Sequence, residues 1–252
     1  MVLKVLCLVV YVGMLVLNML ANSLPLGGRT TGAVSDRYPS LFTPSGITFS
    51  IWGLIYIILG VALFMLVLDR YHLSASLNRW LMVLFIMSCL FNMLWLLMWH
   101  FDHIVFSTIV MVFLFAVLLL MFIMVPSDAF WLKVAFSLYV AWISIALIAN
   151  VTIMLVALDI PRLGLSDVFW LIVVLIIGLG IGFVTVYHMR DVVFGLVFIW
   201  AYGGILLRHL SNQPTGHATQ YPAAIMVLVL SLLLLSIVSA TVFIKNGYTL
   251  FD

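Results

Sequence analysis

The 252-residue chain is 67% hydrophobic and 7% charged, with a mean hydropathy of +1.36 and a net charge of +2. So little polar surface excludes a water-soluble domain and reads as an all-α polytopic membrane protein. The charge is small and scattered, with no run of Lys or Arg able to neutralise a phosphate backbone, so nucleic acid is excluded as a partner.

A membrane-spanning helix needs about 20 apolar residues. The first such run lies near 3–24, behind Lys4. Ala21-Asn22-Ser23 loosely resembles a cleavage site, but the apolar run is longer than that of a signal peptide, so it reads as a retained helix. A long connection, 25–46, follows with Gly27-Gly28, Arg29, Asp36-Arg37 and Pro39; loops of this length in compact bundles often serve as lids. The second run, near 47–68, opens with Phe49, Trp52 and Tyr56 at i, i+3 and i+7, which places them on one helical face.

In the third run, near 80–99, Ser88, Asn92, Trp95 and Trp99 share a face. The fourth run lies near 105–125. The fifth, near 133–157, aligns Tyr139, Trp142, Ala146 and Asn150. The sixth, near 168–188, contains Gly178, Gly180 and Gly182, read as close helix packing and not as a nucleotide loop, because no soluble strand precedes them. The seventh and eighth lie near 192–209 and 223–244, the break at Arg190-Asp191 being the weakest. Residues 210–222, with Asn212, Pro214, Gly216 and Pro222, read as a solvated linker.

With eight spans, Lys4, Arg70, Arg79, Lys133, Arg190 and Lys245 fall on one side, and Arg29, Arg37, Arg162 and Arg208 on the other. That asymmetry places both termini in the cytoplasm, most simply in a cell (inner) membrane.

The chain has no glutamate, and every Asp sits in or beside a loop. Ion-coupled pumps usually need an ionisable group inside the membrane, so an ion-coupled transporter is disfavoured, and no internal repeat supports an inverted-repeat transporter. Cys7 and Cys89 fall inside apolar helices, where they act as small hydrophobes. His100, Asp102 and His103, with His209 and His217 on the same membrane face, are too loosely spaced to assign a metal and read as interfacial histidines. No catalytic Ser-His-Asp order or phosphate loop is present, so no catalytic residues are assigned and no enzyme activity is indicated.

Polar side chains remain inside the spans, namely Asn18, Asn22, Ser50, Ser88, Asn92, Ser144, Asn150 and Thr152. Hydrocarbon cannot hydrogen-bond them, so they face protein or a cavity. Two readings stay open: asparagines as glue between helices with tryptophans as packing, or a mixed aromatic and amide lining for a planar amphipathic ligand.

At these residues the chain resembles the TspO/translocator protein family, also described as tryptophan-rich sensory or peripheral benzodiazepine receptor proteins. Tyr38, Pro44, Gly46, Phe49, Trp52 and Tyr56 follow the order of the family's first loop and second helix. Asn92 and Trp95 match its third-helix Asn-x-x-Trp, and Tyr139, Trp142, Ser144, Ala146 and Asn150 match its fifth-helix pattern at equal spacing. Ser45, Ile47, Ser88 and Leu138 depart from the pattern.

The resemblance covers about residues 1–157 and implies a five-helix bundle, 1–158, followed by a three-helix membrane segment, 159–252, with no role assigned. It implies a ligand cavity lined by Phe49, Trp52, Tyr56, Asn92, Trp95, Tyr139, Trp142, Ala146 and Asn150, under a lid shaped by Pro44 and Gly46. Phe49, Trp52, Trp95 and Trp142 would stack on the ligand, and Asn92 and Asn150 would orient its polar edge. The function so implied is a receptor, sensor or transport protein that binds porphyrin-like (tetrapyrrole, haem-like) or lipidic molecules. No cofactor is obligatory, membrane lipid is the constant partner, and a homodimer is compatible. The alternatives are a small-solute permease that uses all eight helices and a membrane scaffold or assembly protein whose aromatic face is packed shut.

Overall fold

The computed structural model of the chain describes residues 1–24, 26–161 and 163–252; Pro25, in the first long loop, and Arg162, counted in the charge asymmetry, lie outside the described residues. The helices are α1 (Val2–Ser23), α2 (Thr31–Ser35), α3 (Ile51–Val67), α4 (Ala75–His100), α5 (Ile104–Met124), α6 (Phe130–Ala157), α7 (Asp167–Met189), α8 (Val192–Leu210) and α9 (Pro222–Lys245). No strand occurs among the described residues, and eight helical segments are long and apolar enough to cross a membrane. The chain is an all-α, multi-pass integral membrane protein, as its composition requires.

Helix ends carry the expected chemistry. Ser74, Ser166 and Asp191 accept the N–H of Leu77, Phe169 and Phe194 at 3.2, 3.2 and 2.9 Å, capping α4, α7 and α8. Pro222 starts α9, where its missing N–H leaves no bond unmade. Asp69, Asp102 and Asp159 follow α3, α4 and α6 with φ of 53°, 65° and 49°. Asp tolerates this left-handed conformation better than most residues. The placement of these three aspartates in loops is therefore the chemistry of helix termination.

The second span differs from its expectation in one respect. Residues Gly46–Ser50 form a 3-10 turn and the α-helix begins only at Ile51, so Phe49 precedes the α-helical face that Trp52 and Tyr56 share. The reason is a tertiary contact: Trp200 Nε1 donates to the Thr48 carbonyl at 2.9 Å, drawing it out of the regular helical ladder.

Contacts divide the chain into two compact units, Met1–Val34 with Trp52–Ile143, and Ser35–Ile51 with Ser144–Asp252. In the first, α1 packs on α4 and α4 on α5. Cys7, Met14, Asn18 and Ala21 form the buried stripe of α1. Cys7 and Cys89 are both free and buried, as their apolar surroundings suggested.

In the second unit α7, α8 and α9 pack on one another, and the 3-10 turn packs on α8. Small residues set these approaches. A Cβ on Gly178 would lie 2.5 Å from the Tyr202 hydroxyl, and one on Gly182 would lie 2.7 Å from the Phe198 ring, whereas Gly180 meets nothing within 4 Å. Two of the three glycines thus serve close packing.

Candidate functional site

The first unit gathers six of the expected residues: Trp52, Tyr56, Asn92, Trp95, Tyr139 and Trp142. The Trp52 ring stands 5.5 Å from Tyr56, 5.9 Å from Trp95, 5.9 Å from Tyr139 and 6.1 Å from Trp142, the last two edge-on. Trp95 in turn stacks on Trp99 at 6.1 Å. These are direct ring contacts. A flat molecule interleaved between two rings needs roughly 7 Å of separation, twice a van der Waals contact. Trp52 therefore stacks on protein rings here, with no slot against those neighbours.

The polar groups of this cluster also satisfy one another. Tyr56 donates its hydroxyl to Asn18 Oδ1 at 2.8 Å, and Asn18 Nδ2 donates to Asn92 Oδ1 at 2.9 Å. Asn92 Nδ2 then donates to the Tyr139 hydroxyl at 2.8 Å. Tyr11 adds a bond to the Tyr56 carbonyl at 2.7 Å, and Trp99 Nε1 one to the Thr31 carbonyl at 3.1 Å. Asn92 is fully buried, and both ends of its amide are taken by side chains. Asn18 ties the line together and was missing from the expected site. Its signal was legible, since an asparagine within a span must find a partner.

The other expected residues belong to the second unit. Pro44 offers its carbonyl to Arg208 Nη1 at 3.4 Å; exposed Gly46 starts the 3-10 turn; Phe49 is half-buried within that turn; Ala146 is half-buried on α6; and Asn150 is buried there.

The second unit contains a cavity of about 470 Å3 that none of the expected residues lines. Pro39, Ser40, Leu41 and Phe42 supply one wall, and Thr152, Leu155 and Val156 of α6 another. Asp159, Ile160, Pro161 and Leu163 of the connection, then Asp167, Trp170, Leu171 and Val174 of α7, complete it. The Thr152 hydroxyl donates to the Ala149 carbonyl at 2.8 Å, so Ser40 donates to Thr152 across their 3.2 Å contact. That bond fixes the loop to α6. The apolar rim opens outward, with Leu163 78% exposed and Leu155 43%. The cavity lies where α6 ends and α7 begins, at the membrane boundary by span length.

One face of α8 holds the loop along its length. Trp200 takes the Thr48 carbonyl; the Gly204 carbonyl accepts the Ser45 N–H at 3.0 Å; Arg208 pairs with Asp36 at 2.6 Å; and His209 Nε2 donates to the Leu41 carbonyl at 3.0 Å. Residues 200, 204 and 208 are spaced i, i+4 and i+8, the helical stripe again. Gly204 is needed for this approach: a Cβ there would lie 2.0 Å from Thr48 Oγ1. α8 carries no expected site residue, although Trp200, Gly204 and Arg208 repeat the spacing of the other faces.

The histidines divide. His100 is buried with Nδ1 bonded to the Leu96 carbonyl at 2.9 Å, whereas Asp102 and His103 are exposed, and no group of three metal-ligating side chains occurs among the described residues. His209 and His217 stand ring to ring at 4.6 Å, with Tyr221 edge-on at 5.8 and 5.5 Å. Burial, then the nearby His209 and Arg208, push His217 down to about 4, so its imidazole is neutral at physiological pH.

A family model described as "TSPO-like protein" matches residues 4–238, from α1 into α9. Comparison with curated proteins and with solved structures found no match.

Proposed function

Since the chain belongs to the TSPO-like protein family, we propose that it is a membrane sensor or carrier that binds porphyrin-like or lipidic molecules in the cavity of the second unit. The observation that carries this reading is the hollow of about 470 Å3 walled by residues 39–42. Its volume falls in the range typical of small-molecule sites. Phe42 and Trp170 offer aromatic surface, Leu155, Val156, Leu171 and Val174 offer apolar surface, and the Ser40–Thr152 pair with Asp159 and Asp167 offers a few polar groups. An outward apolar rim suits a ligand that arrives from lipid. The modest charge asymmetry of the loops favours cytoplasmic termini.

The tryptophan cluster then acts as a rigid frame and not as the seat. Its ring contacts and closed hydrogen-bond line favour this scaffold role for the first unit.

The test is a titration of the purified protein with protoporphyrin and, separately, with a fluorescent lipid analogue, read by ligand absorbance and emission. Val174→Trp, which fills the cavity, should weaken binding at least tenfold. Trp142→Phe should leave it within about twofold. Equal binding by Val174→Trp and wild type, or loss confined to Trp142→Phe, contradicts the proposal.

A further inference from the structure

The end of α8 and the loop after it build a second site that the ligand reading does not use. His217 N–H donates to the Arg208 carbonyl at 3.1 Å and Thr219 N–H to the His209 carbonyl at 2.9 Å, so residues 217–219 fold back on the last turn of α8. Gly216 permits this return, since a Cβ there would lie 2.1 Å from the Ser211 carbonyl oxygen. Ala218 and Thr219 follow with φ of 47° and 62°, a left-handed conformation unusual for a β-branched residue. The result is that the His217 ring is held against the His209 ring.

The protonation of His209 is fixed by its partner. A carbonyl only accepts, so the bond from Nε2 to Leu41 places the proton on Nε2 and leaves a lone pair on Nδ1. Nδ1 is buried without a hydrogen-bond partner, as is Nε2 of His217, and the His209 side chain has no exposure. An imidazole whose N–H is anchored on a backbone carbonyl while its other nitrogen stays open is the usual arrangement of a metal-ligating histidine. The ring separation of 4.6 Å also fits. With each nitrogen about 2.0–2.1 Å from a shared ion, two imidazole centroids stand about 4.5 Å apart at a right angle and about 5.2 Å apart in a tetrahedral shell. The neighbouring guanidinium of Arg208 is met by Asp36 at 2.6 Å, so the surroundings carry no net excess of positive charge.

We propose that His209 and His217 together hold a divalent transition-metal ion of the zinc, copper or nickel type, with water or a further donor completing its shell. Because the anchoring bond of His209 ends on Leu41, an ion here would stiffen the back of the cavity wall. The site stands independently of the ligand reading.

The test uses the full chain, stripped with chelator and titrated with Co2+, read by visible absorbance and metal analysis. One equivalent should bind with bands of a nitrogen-ligated ion. His217→Ala, which leaves the His209–Leu41 bond in place, should weaken binding at least tenfold, and His103→Ala should not. His217→Cys should restore binding and add a thiolate-to-cobalt charge-transfer band, which a merely structural histidine would not produce. Uptake unchanged in His217→Ala, or no uptake below millimolar Co2+, overturns the proposal and leaves a bridging water as the occupant of the two nitrogens.

Discussion

The first unit directs its intramembrane polar groups at one another: Tyr56, Asn18, Asn92 and Tyr139 form one continuous line, and the rings around them close by direct contact. The second unit directs its polar groups at a loop. Trp200, Arg208 and His209 each hold a backbone carbonyl of residues 41–48, and the space beside that loop stays open. The same residue types, tryptophan with polar side chains further along one helical face, make a closed frame in one place and a suspended wall in the other. What separates them is the partner. Side chain against side chain fills volume, whereas side chain against backbone holds a segment at a distance and leaves room beside it.

Asn92→Leu is the sharpest way to break the first side of this comparison. It takes the Asn92 bond from the buried Tyr139 hydroxyl and leaves Asn18 Nδ2 with only the Met14 carbonyl, at a cost of about 1–3 kcal/mol once weaker membrane hydrogen-bond energetics are allowed for. Unfolding in detergent should show the loss, with ligand affinity of the surviving folded protein unchanged. Gly204→Val attacks the second side. The added methyls meet Thr48, so the loop must shift; overpacking of this kind costs about 1–3 kcal/mol. Ligand affinity and protease resistance of residues 35–50 should both fall.

The fold was legible in the sequence because apolar runs and polar breaks contrast so sharply in a membrane protein. Each expected span begins and ends within a few residues of a helix, the third and fifth starting earlier than expected because Ser74 caps α4 and Lys133 is buried within α6, its ammonium donating to the Phe122 carbonyl at 3.3 Å. The inward faces were legible too: Asn92, Trp95, Tyr139 and Trp142 do meet. Whether meeting rings touch or leave a gap was not legible, because periodicity tells which way a side chain points and not how far away its neighbour stands. The wall at Pro39 to Phe42 carries no periodic signal, since loops have none. That Phe49 lies in a 3-10 turn, outside the α-helical face of Trp52 and Tyr56, was not legible either, because it goes with one tertiary bond, from Trp200 to the Thr48 carbonyl.

A smaller effect separates holding from filling. Trp200→Phe keeps an aromatic ring, though a smaller one, and removes the N–H to Thr48; the lost bond should cost about 0.5–1.5 kcal/mol, visible mainly as faster proteolysis of the loop. The smallest expected effect is on pH. The folded value of His217 lies below its ordinary one, so the unfolded loop binds the proton more readily. The packing of the 211–221 loop is therefore at full strength above about pH 6.5 and weakens as pH falls toward about 4. Ring NMR signals of His217 should follow that titration, and His217→Gln should flatten the accompanying change in loop protection.

The central claim is that ligand sits beside the suspended loop and not between the tryptophans. A structure of the protein with a brominated hydrophobic ligand, located by the anomalous signal of bromine, tests it directly. The account predicts the bromine peak within the space bounded by Phe42, Val156 and Trp170, with the Trp52–Trp95 separation still near 5.9 Å. A peak between Trp52 and Trp95, with those rings parted to roughly 7 Å, would contradict it.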